Sequence, residues 1–216
     1  MKKNVLIAVV VGLLLCTLFF AGCMFPPAGE EVTVTITSKA ESDGDRGLYP
    51  KAVETGNVRV EEYDVIFEKV EISWDGNTIE TLWENEDGET ANIVEEVELS
   101  SSHTNKIASG EYRAIRLTID KTLRLKGDVD LNEDGDFDDP DDILDGEAEE
   151  DVDTKYVWAT EEVAEEFGAD NLLAEAFTIQ EGTEFSFIVD LTDAVDYTDA
   201  DGLLLEVPKI SVEVSE

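Results

Sequence analysis

The chain has 216 residues, with 53 Asp and Glu against 15 Lys and Arg, and its formal net charge is −38. So strong a negative charge excludes nucleic acid and anionic lipid headgroups as direct partners, because like charges repel. Apolar residues make up 42% of the sequence, which is enough for a folded core, and the length fits one ordinary domain.

The N-terminus has the layout of an export signal. A short basic start precedes an apolar run over 5–20, and two small residues then lead directly to Cys23. A Cys in this position resembles the bacterial lipobox, in which the Cys becomes the lipidated first residue of the mature protein. We therefore expect a signal peptide over 1–22, a lipid on Cys23, and a short tether to the membrane over 23–30. The alternative is an uncleaved anchor, since the apolar run is long enough to span a bilayer.

Alternation of apolar and polar residues dominates the rest of the chain. This period of two is typical of β-strands that bury one face. The clearest runs are 32–37, 58–74, 79–83, 115–125, 185–191 and 203–212. Residues 161–167 instead have helical character, and Gly168 is a typical stop signal.

Local signals divide these strands. The apolar parity switches after Phe67, which predicts a β-bulge near 67–69. Residues 75–77, Asp-Gly-Asn, predict a hairpin turn, and residues 85–89 predict a second turn.

The sequence contains no long helical pattern and no alternation of strands with helices. We therefore predict an all-β fold: a single antiparallel β-sandwich over 31–216, with Greek-key-like connections and one short helix. Residues 127–153 differ from the rest, because they hold 15 acids, no bases and little core material. We expect them to form an acidic insertion in the sandwich.

Four runs of sequence, taken together, resemble a known family. They are Thr-Val-Thr-Ile-Thr-Ser at 33–38, the alternating run at 63–72, Ala-Ser-Gly-Glu-Tyr-Arg-Ala-Ile-Arg-Leu-Thr-Ile at 108–119, and the ending at 189–210. They are similar to an uncharacterised "domain of unknown function" family of bacterial and archaeal surface lipoproteins. The resemblance covers nearly all of residues 31–213. It implies a β-sandwich on the cell surface and supplies no activity and no catalytic residues.

The strongest chemical signal lies inside the acidic segment. Oxygen-bearing side chains recur at positions 1, 3, 5, 7, 9 and 12 of a twelve-residue stretch, with Gly135 at position 6 and Phe137 at position 8. This spacing is typical of an EF-hand-type calcium loop. The candidate ligands are Asp130, Asn132, Asp134, Asp136, Asp138 and Asp141.

The spacing has a physical reason. Ca²⁺ takes six to eight oxygens at about 2.3–2.6 Å, and a loop that coils around the ion presents alternate side chains to it. Asp136 would contribute its backbone carbonyl, and Asp141 stands where EF-hands have Glu, as in the dockerin-type loops that this stretch resembles. We expect a strand to enter the loop and a short helix to leave it through residues 143–144. The alternative is a solvated acidic loop whose Asp-Gly pair only forms a turn.

Signals for catalysis are missing from the sequence. His103 is the only imidazole, and its polar surroundings predict a surface loop. Three tryptophans, Trp74, Trp83 and Trp158, lie in alternating strands, where core packing is the ordinary role and a sugar-stacking platform the alternative.

We therefore expect an exported, lipid-anchored, Ca²⁺-binding surface protein that is not an enzyme. It would act as a binding, adhesion or envelope-structural module, held at the membrane by Cys23, with an unidentified protein or polysaccharide partner. The alternatives are a carbohydrate-binding module and, less favoured, a hydrolase with an acidic pair.

Overall fold

β-Strands account for most of the chain in this computed structural model, which describes residues 31–32, 35–41, 53–95, 97–99, 103–137, 139–198 and 201–215. The elements in chain order are β1 Glu31–Val32, β2 Thr35–Glu41, β3 Val53–Thr55, β4 Val58–Ser73, β5 Ile79–Asn92, β6 Val97–Glu98, β7 Ile107–Ala108, β8 Gly110–Tyr112, β9 Ala114–Val129, β10 Ile143–Ala159, α1 Ala164–Phe167, β11 Asn171–Leu172, β12 Phe177–Ile179, β13 Glu184–Asp190, β14 Val195–Thr198, β15 Gly202–Leu205 and β16 Lys209–Ser215. The predicted all-β fold with one short helix is confirmed.

The main sheet contains six strands in the order β11-β10-β9-β4-β3, with β5 also paired to β4. Its long strands β4, β9 and β10 pair antiparallel. Both partners of β4 shift register between Phe67 and Lys69, which confirms the predicted bulge. The extra residue, Glu68, changes the parity of the strand, so that Val70 and Ile72 still point into the core.

The predicted hairpin turn between β4 and β5 is confirmed. Ser73 pairs with Ile79, and the Asp75 carboxylate accepts the backbone N–H groups of Asn77 and Thr78 at 2.9 and 2.6 Å. Short polar side chains that bind the backbone just after them are a typical way to hold a turn.

The predicted turn at residues 85–89 is wrong, because these residues lie within β5. Phe67 faces Glu89 and Lys69 faces Glu84, so residues 85–88 loop out opposite a single residue of β4. The chain keeps its direction because β4 continues past this point and offers a pairing partner to both halves of β5.

A second sheet of four strands has the order β16-β13-β2-β6. Its central pair, β13 and β2, is parallel, from Glu184 opposite Thr35 to Asp190 opposite Glu41, whereas β13 and β16 are antiparallel. β10 and β11 in the main sheet are also parallel. The pairing is therefore mixed, in contrast to the purely antiparallel sandwich that we expected.

The core lies between these two sheets. Phe187 of β13 contacts Phe67 of β4 and Trp158 of β10, with ring centroids 6.4 and 6.3 Å apart. Phe67 and Phe187 are fully buried, and Trp158 is 5% exposed. Aromatic side chains from both sheets thus supply much of the apolar area that stabilises the fold.

The chain between β15 and β16 is fastened to the main sheet by two tyrosines. The Tyr63 hydroxyl donates to the Glu206 carbonyl at 3.3 Å, and the Tyr156 hydroxyl donates to the Pro208 carbonyl. Burial raises the pKa of both phenols above their ordinary value. They therefore stay protonated, as donors to these carbonyls, at neutral pH.

Helix α1 covers part of the outer face of the main sheet. Val163 and Phe167 form a small second core there with Ala114, Val157 and Ala159. Gly168 ends the helix in the left-handed conformation, with φ 69°, and this confirms the predicted stop.

Candidate metal loop

The predicted calcium loop is the connection between β9 and β10, and we call residues 130–142 the acidic loop. The two strands form one long hairpin that pairs from Ala114 opposite Ala159 to Val129 opposite Ile143. The acidic segment 127–153 is therefore the distal end of this hairpin together with its connection. The loop follows a strand, as predicted.

The predicted helix after the loop is wrong. Ile143 pairs with Val129, so strand pairing resumes at the first residue after the loop. The turn that begins at Asp139 and Pro140 does contain one helix-like hydrogen bond, which the Asp142 N–H donates to the Asp139 carbonyl at 3.1 Å. Pairing with β9 then replaces the helical turn, and regular antiparallel pairing continues from Gly146 opposite Gly127 to Ala159 opposite Ala114.

Three side chains curl the first half of the acidic loop. Asp130 Oδ2 accepts the Gly135 N–H at 2.7 Å, Asn132 Oδ1 accepts the Asp134 N–H at 2.9 Å, and Asp134 Oδ1 accepts the Asp136 N–H at 2.9 Å. Gly135 has φ 84°, a left-handed conformation that glycine adopts without strain. The candidate ligands at positions 1, 3 and 5 are thus joined through the backbone of the same turn.

Asp130 is the buried member of this set. Only 2% of the residue is exposed, and Oδ1 has no hydrogen-bond partner among the residues that the structure describes. An unpaired buried polar atom costs about 1–3 kcal/mol, and more if it is charged. A cation bound beside this oxygen would supply the partner that it lacks, so the atom indicates a candidate ligand site.

The end of the loop is held by Asp142, a residue that the sequence reasoning missed. Its Oδ1 accepts the Leu131 N–H at 3.0 Å and its Oδ2 accepts the Asp139 N–H at 3.1 Å. Asp141, the predicted ligand at position 12, is exposed. The run from Asp139 to Asp142 was a detectable signal, since an acidic side chain three residues after an N-cap residue often binds the N–H of that residue.

The carboxylates of the acidic loop are close enough to affect one another. Partial burial raises the pKa of the Asp139 carboxyl, and three neighbouring carboxylates raise it further, against a hydrogen bond from Asn132 that lowers it. The neighbours are Asp134, Asp136 and Asp142. Negative charge thus accumulates on one side of the loop, where a cation would relieve it.

Contacts with β4 and β9 hold the acidic loop against the main sheet. Arg59 on β4 pairs with the buried Asp128 on β9, with Nε 3.2 Å from Oδ2, and its guanidinium lies 5.0 Å from the centre of the Phe137 ring. Phe137 is 7% exposed, as expected of the apolar residue at position 8. The Asp130 N–H donates to the Asn57 carbonyl at 3.0 Å. These contacts fix both ends of the curled half of the loop.

The fit to Ca²⁺ rests on the donor set. The loop offers carboxylate, amide and carbonyl oxygens, which suit a hard cation such as Ca²⁺ and include no thiolate or imidazole. Asp138 lies outside the described residues, and Asp136 and Asp141 are exposed. Among the described residues no three Asp, Glu, His or Cys side chains already form a metal-holding group. An ion would therefore draw exposed carboxylates inward to join Asp130.

The other sequence candidates have ordinary structural roles. Trp83 is fully buried and Trp158 nearly so, while Trp74 is half-buried against Tyr112. These positions do not form an exposed pair for stacking sugars. His103 is half-buried, with its ring edge-on to Trp83 at 6.1 Å, instead of lying in an open polar loop.

The predicted signal peptide, Cys23 and the tether lie outside the described residues. In the described part of the chain, no helix is both long and apolar enough to cross a bilayer. Comparison of the chain with family models, curated proteins and solved structures gives no match.

Proposed function

We propose that the protein is an exported, lipid-anchored surface protein that binds Ca²⁺ in the acidic loop and acts as a non-enzymatic binding or envelope-structural module. Export and lipidation rest on the apolar N-terminal run that leads to Cys23. The net charge of −38 supports a role away from nucleic acid, with the membrane reached through the lipid and not through the protein surface.

The observation that carries the calcium assignment is the unpaired Oδ1 of Asp130. It belongs to a carboxylate that is 2% exposed, and its second oxygen already closes the turn on Gly135. A cation beside Oδ1 would complete the coordination of this oxygen and neutralise the carboxylates nearby. Ca²⁺ fits better than Mg²⁺, since Mg²⁺ prefers tight octahedral sites with several retained waters.

Calcium here has a structural role in our proposal. Extracellular sites bind Ca²⁺ with Kd of about 10⁻⁴–10⁻³ M, so about 1 mM Ca²⁺ stabilises the folded state by about 0.4–1.4 kcal/mol. That is enough to order the tip of a hairpin. The two-sheet core, with its fully buried aromatic residues, supplies the stability of the rest.

The test of the metal site is a calorimetric titration of the full-length protein in detergent with Ca²⁺ and, separately, with Mg²⁺. We expect heat of binding with Ca²⁺ and a much weaker response with Mg²⁺. Asp134→Ala should weaken Ca²⁺ binding by at least about tenfold, because it removes one charged ligand. Asp153→Asn, an exposed acid on β10 outside the loop, is the matched control. No heat with Ca²⁺, or equal losses in both variants, would refute the site.

The anchor is tested by fractionation of cells that make the protein or its Cys23→Ser variant. We expect the parent protein in the membrane fraction, labelled by a radioactive fatty acid. The variant should lose the label. A variant that remains fully membrane-bound and shows a mass retaining residues 1–22 would indicate the uncleaved anchor instead.

A further inference from the structure

The outer face of the main sheet carries a cavity of about 410 Å³, which we call the charged pocket. The loop-out of β5 at residues 85–88 forms one side, and β10 forms the other. Between them lie the outward-pointing residues of β4 and β9. The pocket is separate from the acidic loop, which lies at the far end of the same hairpin.

The strand register fixes which side chains meet in this pocket. Lys69, Thr118 and Lys155 stand side by side across β4, β9 and β10. One row nearer to α1, Glu71 stands beside Arg116, whose guanidinium lies 5.4 Å from the centre of the Phe167 ring. Diagonal neighbours on adjacent strands are about 7–8 Å apart at Cα, so Arg116 and Lys155 can reach a common ligand.

The charged side chains at the bottom of the pocket already pair with one another. Glu71 is 8% exposed and accepts a hydrogen bond from Arg116 Nε at 2.7 Å, with Lys69 Nζ 3.4 Å away on its other oxygen. Lys69 also pairs with Glu84 at 3.0 Å. This network holds the long side chains in place before any ligand arrives, which lowers the entropy cost of binding.

Two cations remain available on the β10 side. Arg116 uses Nε for Glu71, and its terminal nitrogens have no hydrogen bond to a described residue. Lys155 is exposed and has no ion pair within the described part of the chain. By contrast, Arg124, Lys126 and Lys209 each have an acidic partner.

The opposite side of the pocket is acidic. Glu68, Glu84 and Glu86 line it from the bulge of β4 and the loop-out of β5. A purely anionic ligand would meet these carboxylates, and a purely cationic ligand would meet Arg116 and Lys155. A ligand with one charge of each sign, set a few bonds apart, matches both sides at once.

We propose that the charged pocket binds a small zwitterion, such as an amino acid or a short peptide. Its carboxylate lies on Arg116 and Lys155, and its ammonium group lies on the acidic side of the pocket, against Glu86 and its neighbouring glutamates. The volume is at the lower end of the range for small-molecule sites, about 300–1,000 Å³, and accommodates a dipeptide. The pocket would give the surface module a ligand of its own, independent of calcium.

The test uses isothermal titration of the full-length protein in detergent with three probes: glycylglycine, acetate and methylammonium. We expect binding of glycylglycine and at least about tenfold weaker binding of either single-charge probe, the size of one lost charge-assisted interaction. Lys155→Gln should weaken glycylglycine binding about tenfold without changing the melting temperature, since Lys155 is exposed and unpaired in the described structure. Arg124→Gln, on β9 outside the pocket, is the matched control.

A second variant tests the acidic side. Glu86→Gln should weaken binding of glycylglycine and of methylammonium but not of acetate. Absence of binding by glycylglycine would overturn the proposal. So would acetate binding as tightly as glycylglycine, or equal affinities in the Lys155 and Arg124 variants.

Discussion

Replacing Asp130 by Asn should stabilise the metal-free protein and reduce the stabilisation that calcium supplies. The amide oxygen of Asn can still accept the Gly135 N–H, so the turn is kept. The buried negative charge with its unpaired oxygen is lost. We expect loss of this charge to stabilise the metal-free protein by about 1 kcal/mol, since the carboxylate is buried and its Oδ1 has no partner among the described residues.

With calcium this advantage is offset. At about 10 mM Ca²⁺ and a Kd of about 10⁻⁴–10⁻³ M, the parent protein gains about 1.4–2.7 kcal/mol. Loss of a charged ligand that weakens binding about tenfold reduces this gain by about 1 kcal/mol or more. For a chain of this length, 1 kcal/mol corresponds to about 2–4 °C in melting temperature, so the gain without calcium and the smaller response to calcium are each measurable.

The assay is thermal unfolding followed by circular dichroism, once with a chelator and once with about 10 mM CaCl₂, a concentration well above the expected Kd. We expect Asp130→Asn to melt above the parent temperature with chelator and close to it with calcium, so that calcium raises the melting temperature of the variant less than that of the parent. Asp153→Asn should respond to calcium as the parent does. Two parallel curves, with the variant below the parent by the same amount in both buffers, would contradict the reasoning, because Asp130 would then be only a structural acceptor.

Three further substitutions test other parts of the structure. Asp142→Ala should lower the free energy of unfolding in chelator by about 1–2 kcal/mol, because two backbone N–H groups lose their acceptor, whereas Asp141→Ala should change it by less than about 0.5 kcal/mol in the same urea titration. Phe187→Ala should cost about 3–5 kcal/mol by urea unfolding, since its ring is fully buried between the two sheets; a loss below about 1 kcal/mol would mean that the sheets do not pack through it. Burial tends to raise the pKa of Glu71, but hydrogen bonds and charge from Arg116 and a neighbouring lysine outweigh it, so the pKa is lowered from 4.5. Its charged form therefore stabilises the fold above pH 4.5, and this contribution is lost as the pH falls below that value, so Glu71→Gln should flatten the acid limb of a stability–pH curve. An unchanged acid limb would contradict this assignment.

The strand pattern and its bulge were predictable from the sequence because they depend on local parity. A strand that buries one face must place apolar residues at every second position, so the switch after Phe67 requires one extra residue in the strand. The helix stop at Gly168 is equally local, since glycine adopts the left-handed conformation at the end of a helix without strain.

The errors concern features that depend on partners distant in the chain. Residues 85–89 have the composition of a turn, but β4 pairs with the chain on both sides of them and keeps β5 continuous. The alternation of apolar and polar residues also reveals nothing about the direction of the neighbouring strand. The parallel pairing of β2 and β13 was therefore not predictable from the sequence.

In the acidic loop, the spacing picked out the side chains that curl the first half, and Phe137, the apolar residue at position 8, is buried. The residue that closes the loop by hydrogen bonds is Asp142, whereas Asp141 is exposed and its role as a ligand at position 12 stays a prediction. The spacing rule assumes a helix after the loop, and here a strand follows, which changes the side chain that points back.

The hairpin of β9 and β10 has a consequence for local opening of the structure. Near the connection β10 pairs with β9 alone, and a strand held on one side frays first at its end, which here follows Val129. A Ca²⁺ ion bound in this connection would hold the two strands together at the point where fraying begins. Backbone amides next to the tip, such as that of Ile143, would then exchange with deuterium more slowly in calcium. Amides near Trp158, which is buried in the core, would keep the same exchange rates with and without calcium.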